Sequence, residues 1–344
     1  MRLDEFDYHL PPERIAQEPL PERDTSRLLV LDRAGGGLRH QHFRDLPGLL
    51  APGDLLVVNR SRVFAARLLG TRAGGGKAEV LLVRARPGDV WEALLRPARK
   101  LPPGARVRVD EELEVEVLEE PARDDGRRLV RILARSGDPS AALERLGRVP
   151  LPPYIRRPAV PADRARYQTV YANERGSVAA PTAGLHFTAA LLGALSKRGV
   201  ERAEVVLHVG PGTFRPVKVR DVREHVVAPE PFVLPPETAA AVARTRARGG
   251  RVVAVGTTTT RVLEARADDS GHVAPGAGET SLVIVPGFRF RAVDALVTNF
   301  HLPRSSLLLL ASAFAGRERV LAAYAQAVRE GYRFYSYGDA MLVV

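Results

Sequence analysis

The sequence contains no cysteine, and this absence excludes several kinds of site at once. Without thiols there is no disulfide framework, no thiolate zinc site, no iron–sulfur cluster and no cysteine nucleophile. The most apolar stretch, residues 307–315, is far shorter than the roughly 20 residues that span a bilayer. Residues 1–7 carry acids where an export signal has a cationic and then an apolar run, so we expect a cytoplasmic protein without a membrane partner.

Lysine is also scarce, although the chain is strongly basic. Only four of its 51 basic residues are lysines, and the excess over 40 acidic residues gives a formal net charge of +11. Arginine neutralises phosphate, so the charge favours a nucleic-acid partner. Arginine, alanine, glycine and proline also have GC-rich codons, so codon usage explains the same composition. A length of 344 residues with 45% hydrophobic residues predicts two folded domains.

Six short β-branched or alternating runs, separated by Gly- and Pro-rich turns, predict a small barrel or curled sheet. The runs span residues 65–69, 78–83, 90–95, 105–109, 113–118 and 129–133. After a proline-rich joint at residues 149–155, strands alternate with helices, which is typical of an α/β domain with a mostly parallel sheet. We therefore predict an α/β domain of residues 1–61 and 155–344, with an all-β, barrel-like domain of residues 62–154 inserted into it.

Ligands of open α/β sheets bind outside the carboxyl ends of the strands, and polar residues follow several predicted strands here. After the strand predicted at residues 251–255 come Gly256, four threonines and Arg261, so Thr257 and Thr258 are candidates for holding an anion or a carboxylate. An ordinary helix cap with a threonine-rich turn is the alternative. We also predict a strand at residues 282–285.

Three histidines lie beside turns at the same predicted edge. His208 precedes a turn that contains Gly210, Gly212 and Thr213, whose glycines allow a close backbone approach to a ligand. The other two are His301, which follows Asn299, and His186, which follows Thr182 and Gly184. A single histidine is more often structural than catalytic, but three at one edge favour proton transfer.

Motifs for metals and for common nucleotide sites are missing. The sequence has no His-Glu-x-x-His and no dense carboxylate–histidine cluster, so we expect no metal. No Gly-x-Gly-x-x-Gly follows a strand, and no Gly-x-x-x-x-Gly-Lys-Ser/Thr is present, which argues against dinucleotide dehydrogenases and P-loop NTPases.

Taken together, long segments along the whole chain resemble one family, the S-adenosylmethionine:tRNA ribosyltransferase-isomerases of queuosine biosynthesis. The matching segments are residues 6–11, 15–17, 26–32, 150–155, 166–172, 176–188, 207–210, 212–217, 255–258, 294–303 and 335–341. The resemblance implies an α/β domain interrupted by a β-barrel. It also implies a transferase and isomerase that moves the ribosyl group of S-adenosylmethionine onto 7-aminomethyl-7-deazaguanine at the tRNA wobble position.

The resemblance implies epoxyqueuosine as the product, with adenine and methionine released, and tRNAs with GUN anticodons as partners. S-Adenosylmethionine is then a co-substrate and no further cofactor is expected; we also expect a monomer. The sulfonium acidifies the neighbouring 5′ carbon, so a neutral imidazole fits as general base. We assign proton transfer to His186, His208 or His301, with Asn299 orienting, and the carboxylate or ribose hydroxyls to Thr257, Thr258 and Arg261.

Other positions within the matching segments are expected to bind substrate. These are Thr182, Gly184, Gly210, Gly212, Thr213, Tyr167 and Asp339. The sequence departs from the family's usual residues at Arg60, Val227, Ala228, Glu279 and Ser281, which leaves Glu224, His225 and Glu230 as secondary candidates.

Two rival functions are a nucleoside or phosphoribosyl transferase acting on a small molecule and a non-catalytic tRNA-binding protein. We expect the basic barrel and the joint around Arg156 and Arg157 to face tRNA.

Overall fold

The structure is a computed structural model that describes residues 1–118, 126–135, 137–214 and 216–344. Its strands, in chain order, are β1 (Arg27–Leu31), β2 (Leu38–His42), β3 (Leu55–Asn59), β4 (Ser61–Val63), β5 (Arg67–Arg72), β6 (Lys77–Arg86), β7 (Val90–Arg96), β8 (Arg106–Arg108), β9 (Leu113–Val117), β10 (Arg128–Ala134), β11 (Glu174–Ser177), β12 (Glu201–Leu207), β13 (Glu230–Leu234), β14 (Val252–Val255), β15 (Gly276–Thr280), β16 (Ala295–Asn299) and β17 (Ala340–Val343). The α-helices are α1 (Leu46–Leu49), α2 (Pro139–Leu146), α3 (Asp163–Arg166), α4 (Ala189–Lys197), α5 (Pro236–Ala247), α6 (Thr257–Arg266), α7 (Ser306–Ala315) and α8 (Arg317–Arg329).

Nine strands form one mixed sheet in the order β15-β13-β12-β3-β14-β16-β17-β1-β2. The four neighbours β12, β3, β14 and β16 are parallel, so their carboxyl ends meet at one edge. The strands towards both ends of the sheet, including β13, β15 and β2, pair antiparallel with a neighbour. The predicted α/β fold with an inserted β-barrel is confirmed, and its sheet is parallel at the centre and mixed overall.

The central strands are apolar along their whole length because helices cover both faces of the sheet. In β3, Leu55 and Val57 belong to one buried core and Leu56 and Val58 to the other. The first core is closed by side chains of α5 to α8, and the second by those of α1 and α4. This packing fixes the edge from which the polar residues project.

Six strands close a separate barrel in the order β10-β7-β6-β5-β8-β9, and every pairing in it is antiparallel. All six lie between Arg67 and Ala134. Alternate residues point inwards, as Leu113, Val115 and Val117 of β9 do, and α2 packs against this core. A short parallel ribbon of β4 and β11 leads from the sheet to the barrel.

The strands predicted above lie within a few residues of observed strands, with one exception. The strand predicted at residues 282–285 is wrong: that segment has no strand pairing, and the Leu282 carbonyl accepts a hydrogen bond from Nε of Arg261 over 2.8 Å. Helix α6 begins at Thr257, directly after Gly256. In the described part of the chain, no helix combines the length and apolar character needed to cross a bilayer.

Candidate active site

A large cleft of about 1140 Å³ lies between the carboxyl edge of the sheet and the barrel. The sheet side is formed by the loop after β12, the first turn of α6 and the start of α7. The barrel side is formed by residues that include Phe64, Val83, Arg84, Trp91 and Arg127. The cleft is therefore where ligands are expected in an open α/β fold, and the barrel supplies its second wall.

A recess of about 40 Å³ adjoins this cleft. The two share Val209, Thr257, Thr258 and Leu307 as lining residues. Asn299 and His301, among others, complete the recess. Its volume suits a small polar group or a few water molecules and is too small for a nucleoside.

The first turn of α6 faces both cavities. Gly256 precedes the helix with φ of 87° and provides no side-chain cap, so the first N–H groups of α6 have no capping side chain. The hydroxyls of Thr259 and Thr260 donate back to the carbonyls of Val255 and Gly256 over 2.8 and 3.1 Å. The hydroxyl hydrogens of these two threonines are therefore used in bonds to the backbone of the two residues that precede α6.

Thr257 and Thr258 line the cavities instead. Oγ1 of Thr258 accepts a hydrogen bond from Nδ2 of Asn59 at the end of β3, over 3.3 Å. Open N–H groups, two hydroxyls and the positive end of the helix dipole together favour an anionic group at this position.

Arg261, one turn further along α6, is engaged by the protein. Its guanidinium forms a buried ion pair with Glu230 and donates to the Thr280 carbonyl over 3.3 Å. Oε1 of Glu230 in turn accepts from the backbone N–H of Gly210 over 2.8 Å. The pair thus fastens the loop after β12 to α6, and the predicted contact of Arg261 with a ligand carboxylate stays a prediction.

His186 lies in a buried chain of hydrogen bonds that ends in the recess. Nδ2 of Asn299 donates to Nε2 of His186 over 3.0 Å, and Nδ1 of His186 lies 2.8 Å from Oγ of Ser26. With Nε2 accepting, the proton sits on Nδ1 and points to Ser26. Oγ1 of Thr182 donates to Oδ1 of Asn299 over 2.9 Å. The hydroxyl hydrogen of Thr182 is therefore used in the bond to Asn299, and the hydroxyl oxygen can accept a hydrogen bond from a ligand.

The imidazole of His186 is neutral. Burial, followed by the nearby guanidiniums of Arg23, Arg166 and Arg333, lowers its pKa to about 3. Both ring nitrogens already have partners, so His186 orients Asn299 and is poorly placed to exchange protons with a ligand.

His301 lines the recess directly. Its Nε2 lies 2.8 Å from Oγ1 of Thr298, and its backbone N–H donates to the hydroxyl of Tyr324 over 3.1 Å. Burial lowers its pKa to about 3, so this ring is also neutral at physiological pH.

His208 lies in the large cleft at the end of β12. Its half-buried ring packs against Gly176, where a Cβ atom would come within 2.6 Å of the ring. Nδ1 of His208 is buried without a hydrogen-bond partner among the described residues. Burial lowers its pKa, which the carboxylate of Glu174 partly opposes. Of the three predicted histidines, His208 has the ring with the fewest hydrogen bonds to the described part of the protein.

The remaining predicted residues divide between the cleft and the interior. Gly210 and Gly212 line the cleft, whereas the side chain of Thr213 lies outside the described part. Tyr167 is fully buried against Tyr337, with ring centroids 6.0 Å apart. Gly184 packs against Tyr171, whose hydroxyl leaves no room for a Cβ atom.

Asp339 is buried as well, and burial raises its pKa. Its carboxylate accepts from the backbone N–H groups of Arg27 and Arg333, each over 2.8 Å, so it ties the start of β17 to its neighbours. Tyr167, Gly184 and Asp339 therefore lie away from the cleft wall. Within the described residues, no group of three or more His, Cys, Asp and Glu side chains is arranged to hold a metal ion.

Comparison with known proteins gives the family. The sequence model of one protein family, described as queuosine biosynthesis protein, matches residues 3–343. S-adenosylmethionine:tRNA ribosyltransferase-isomerase of Moorella thermoacetica is 56% identical over the full length of both chains. The protein of the same name from an Anaeromyxobacter species is 55% identical over 100% of this chain and 99% of its own.

A solved structure supports the same conclusion. S-adenosylmethionine tRNA ribosyltransferase from Thermotoga maritima is 40% identical, covers 99% of this chain and 100% of its own, and superimposes with a TM-score of 0.57. The chain belongs to the queuosine biosynthesis protein family. The resemblance and the prediction of an enzyme are thereby confirmed.

Several departures from the family's usual residues are now located. Arg60 pairs with Glu204 over 3.5 Å, and Glu279 pairs with Arg84 of the barrel over 2.7 Å. Val227 and Ala228 line the cleft. Ser281 is exposed.

The secondary candidates differ in position. His225 and Glu230 line the cleft, and burial lowers the pKa of His225; Glu224 is exposed in a short 3-10 helix. Sequence reasoning missed Ser26, Asn59 and Phe64 as parts of the site. The single tryptophan, Trp91, could have indicated this part of the site but was not used as a signal.

Proposed function

We propose that this enzyme transfers and isomerises the ribosyl group of S-adenosylmethionine onto 7-aminomethyl-7-deazaguanine at the tRNA wobble position. The products are epoxyqueuosine in tRNA, adenine and methionine. Full-length relatives that bear the name of this activity carry the proposal, together with a cleft that joins an anion-binding helix end to neutral imidazoles. The same comparisons favour this function over a small-molecule transferase or a non-catalytic tRNA-binding protein.

The first turn of α6 is proposed to hold the carboxylate of the methionine part. Open N–H groups and the hydroxyls of Thr257 and Thr258 offer donors to that group, and the recess beside them accepts a small polar group but not a nucleoside. The adenosyl part then extends into the larger cleft. Thr182, an acceptor in the recess, suits a ligand N–H or O–H donor.

His208 is proposed to take the proton from the 5′ carbon next to the sulfonium. It is neutral, half-buried and in the cleft, and the sulfonium increases the acidity of that carbon. His301 is proposed to contact the ligand in the recess. His186 acts through Asn299, which it holds in one orientation.

The finer properties are proposed from family membership. The enzyme acts in the cytoplasm as a monomer on tRNAs with GUN anticodons, and it needs no metal. The α/β domain comprises residues 1–61 and 155–344, and the barrel domain residues 62–154; the position of all six barrel strands within that second range supports this division.

The decisive experiment mixes purified protein, S-adenosylmethionine and tRNA that carries the 7-aminomethyl base, and measures free adenine and methionine. We expect equimolar release that requires the modified tRNA. Absence of adenine, or its release without tRNA, would overturn the proposal. His208→Gln is expected to lower the rate at least about 100-fold, within the range of general acid–base catalysis. His9→Gln, which changes a histidine on none of the cavity walls described above, is the matched control.

A further inference from the structure

The barrel wall of the cleft presents an aromatic pair. Trp91 of β7 and Phe64, directly after β4, line the cleft with ring centroids 5.3 Å apart and planes inclined by 37°. Phe64 is 3% exposed, whereas Trp91 is half-buried at the edge of the barrel core. Phe64 thus supports a ring that remains accessible from the cleft. Trp91 is also the only tryptophan in the chain.

Arginines surround this aromatic pair. Arg84 and Arg175 line the same cleft, and the guanidinium of Arg175 lies 5.9 Å from the Phe64 ring centroid. Arg84 pairs with Glu279 over 2.7 Å and Arg175 with Glu144 over 3.0 Å. The four side chains are between 39 and 48% exposed, so each pair contributes little and can be exchanged for a phosphate. An accessible ring beside exchangeable arginines is typical of sites for unpaired nucleotides.

Two bases enter the cleft in the proposed reaction, and the charges distinguish them. The adenine of S-adenosylmethionine is attached to a sulfonium cation, which the arginines of the barrel wall repel. The wobble base is attached to phosphates, which they attract.

The backbone also connects the aromatic pair to His208. The N–H of Phe64 donates to the Ser177 carbonyl over 3.2 Å, and Gly176 of the same strand packs against the His208 ring.

We propose that Trp91, supported by Phe64, is the platform on which the modified wobble base stacks after it swings out of the anticodon loop. This inference rests on the proposed function and adds the subsite for the acceptor base. S-Adenosylmethionine occupies the opposite, α6 side of the cleft. Arg84 and Arg175 then bind the phosphates that flank this base, which displace their glutamate partners.

A single tryptophan makes the test direct, because the intrinsic tryptophan fluorescence comes from Trp91 alone. The protein is titrated with an anticodon stem-loop that carries the 7-aminomethyl base, with the same stem-loop lacking the wobble base, and with S-adenosylmethionine alone. We expect quenching by the first ligand and little change with the other two. Equal quenching by the abasic stem-loop, or strong quenching by S-adenosylmethionine alone, would overturn the assignment.

Kinetics provides an independent readout. Trp91→Ala is expected to raise the KM for the stem-loop about tenfold, equivalent to about 1.4 kcal/mol of lost stacking, and to leave the KM for S-adenosylmethionine within about twofold. Trp91→Phe should restore most of the affinity. Val90→Ala is the matched control, since adjacent side chains of a strand lie on opposite faces. An unchanged stem-loop KM in Trp91→Ala contradicts the inference.

The two proposals fail differently. If the wild-type protein releases no adenine with the modified stem-loop, the proposed function is wrong. If adenine is released but neither the fluorescence nor the stem-loop KM depends on Trp91, only the base platform is wrong.

Discussion

Nδ2 of Asn299 donates a hydrogen bond to Nε2 of His186 over 3.0 Å, and this bond fixes the direction of the Asn299 amide. Because the amide nitrogen faces the imidazole, the amide oxygen faces Thr182 and accepts its hydroxyl hydrogen over 2.9 Å. The Tyr335 carbonyl also accepts from Nδ2 of Asn299, over 3.4 Å. A histidine outside the recess and this carbonyl together determine which hydrogen-bonding role Thr182 presents inside it.

This relationship predicts that His186 can be replaced by a residue that keeps the acceptor. His186→Gln offers an amide oxygen to Asn299 and should retain more kcat than His186→Leu, which removes the nearer of the two acceptors of the buried Asn299 amide and leaves the Tyr335 carbonyl. We expect a loss of about tenfold in kcat for His186→Leu, since an unsatisfied buried donor costs about 1–3 kcal/mol. Adenine release measures kcat, and thermal unfolding verifies that each variant is folded. Equal activity of the two variants would contradict the positioning role.

The buried histidines predict how stability depends on pH. Burial lowers the pKa of His186 and of His301 to about 3, whereas an unfolded chain binds these protons near pH 6.5. Between those values the unfolded state holds more protons, so stability falls as the pH falls. Each histidine contributes a slope that approaches about 1.4 kcal/mol per pH unit once the unfolded imidazole is fully protonated.

The matching measurement is urea unfolding at pH 6 and pH 5. From the two histidines alone, we expect the free energy of unfolding to drop by about 2 kcal/mol across this interval, because an unfolded imidazole is only partly protonated at pH 6. His301→Asn should remove about half of this decrease. If the difference between pH 6 and pH 5 is the same in the variant and the wild type, His301 is not held neutral by the fold.

Two Arg–Glu pairs of different burial predict different costs on disruption. Arg261 and Glu230 are 12 and 9% exposed, whereas Arg84 and Glu279 are 39 and 43% exposed. Glu230→Gln leaves a buried guanidinium without its counter-charge and should destabilise the fold by about 3 kcal/mol. It should also raise the KM for S-adenosylmethionine, because the Gly210 loop loses an anchor.

Glu279→Gln is the matched control and should change stability by less than about 1 kcal/mol. Chemical denaturation of both variants checks the pair of predictions. Equal effects would mean that burial does not decide the value of these ion pairs.

The sequence predicted the parts of the fold in which a local pattern carries the information. The runs around Val80, Trp91 and Val115 alternate between inward and outward positions, so the barrel strands were found. β17, with the sequence Ala340–Val343, and the edge strand β15, with two glycines, were not predicted. Both depend on neighbours far away in the chain, since β17 pairs with β1 and β15 with β13.

The site shows the same limit. Thr257 and Thr258 were predicted as anion ligands from a local rule, that helix ends at a sheet edge bind anions, and the structure places both on the cavity wall. Other contacts join side chains from distant segments of the chain. Arg261 forms an ion pair with Glu230, and both ring nitrogens of His186 are hydrogen-bonded, to Ser26 and Asn299. Spacing along the chain does not encode such contacts, so sequence reasoning treated all three histidines alike.

The exposure and pairing of the basic side chains predict which of them bind the tRNA backbone. The joint around Arg156 and Arg157 was expected to face RNA. Arg156 is exposed, whereas Arg157 makes a two-pronged ion pair with Asp163, over 2.7 and 2.8 Å, and is only 20% exposed. Arg99 and Lys100 of the barrel are exposed and have no ion-pair partner among the described residues.

We therefore expect the double variant Arg99→Ala/Lys100→Ala to weaken tRNA binding and to reduce the slope of log Kd against log salt concentration, by up to about one per lost phosphate contact. Arg157→Ala should instead lower the free energy of unfolding, because it leaves the buried carboxylate of Asp163 without its main counter-charge. Its effect on the salt slope should be small. Binding titrations at several salt concentrations, with unfolding measured alongside, separate the two roles. A reduced salt slope in Arg157→Ala at unchanged stability would place the joint, and not the barrel loop, against the tRNA backbone.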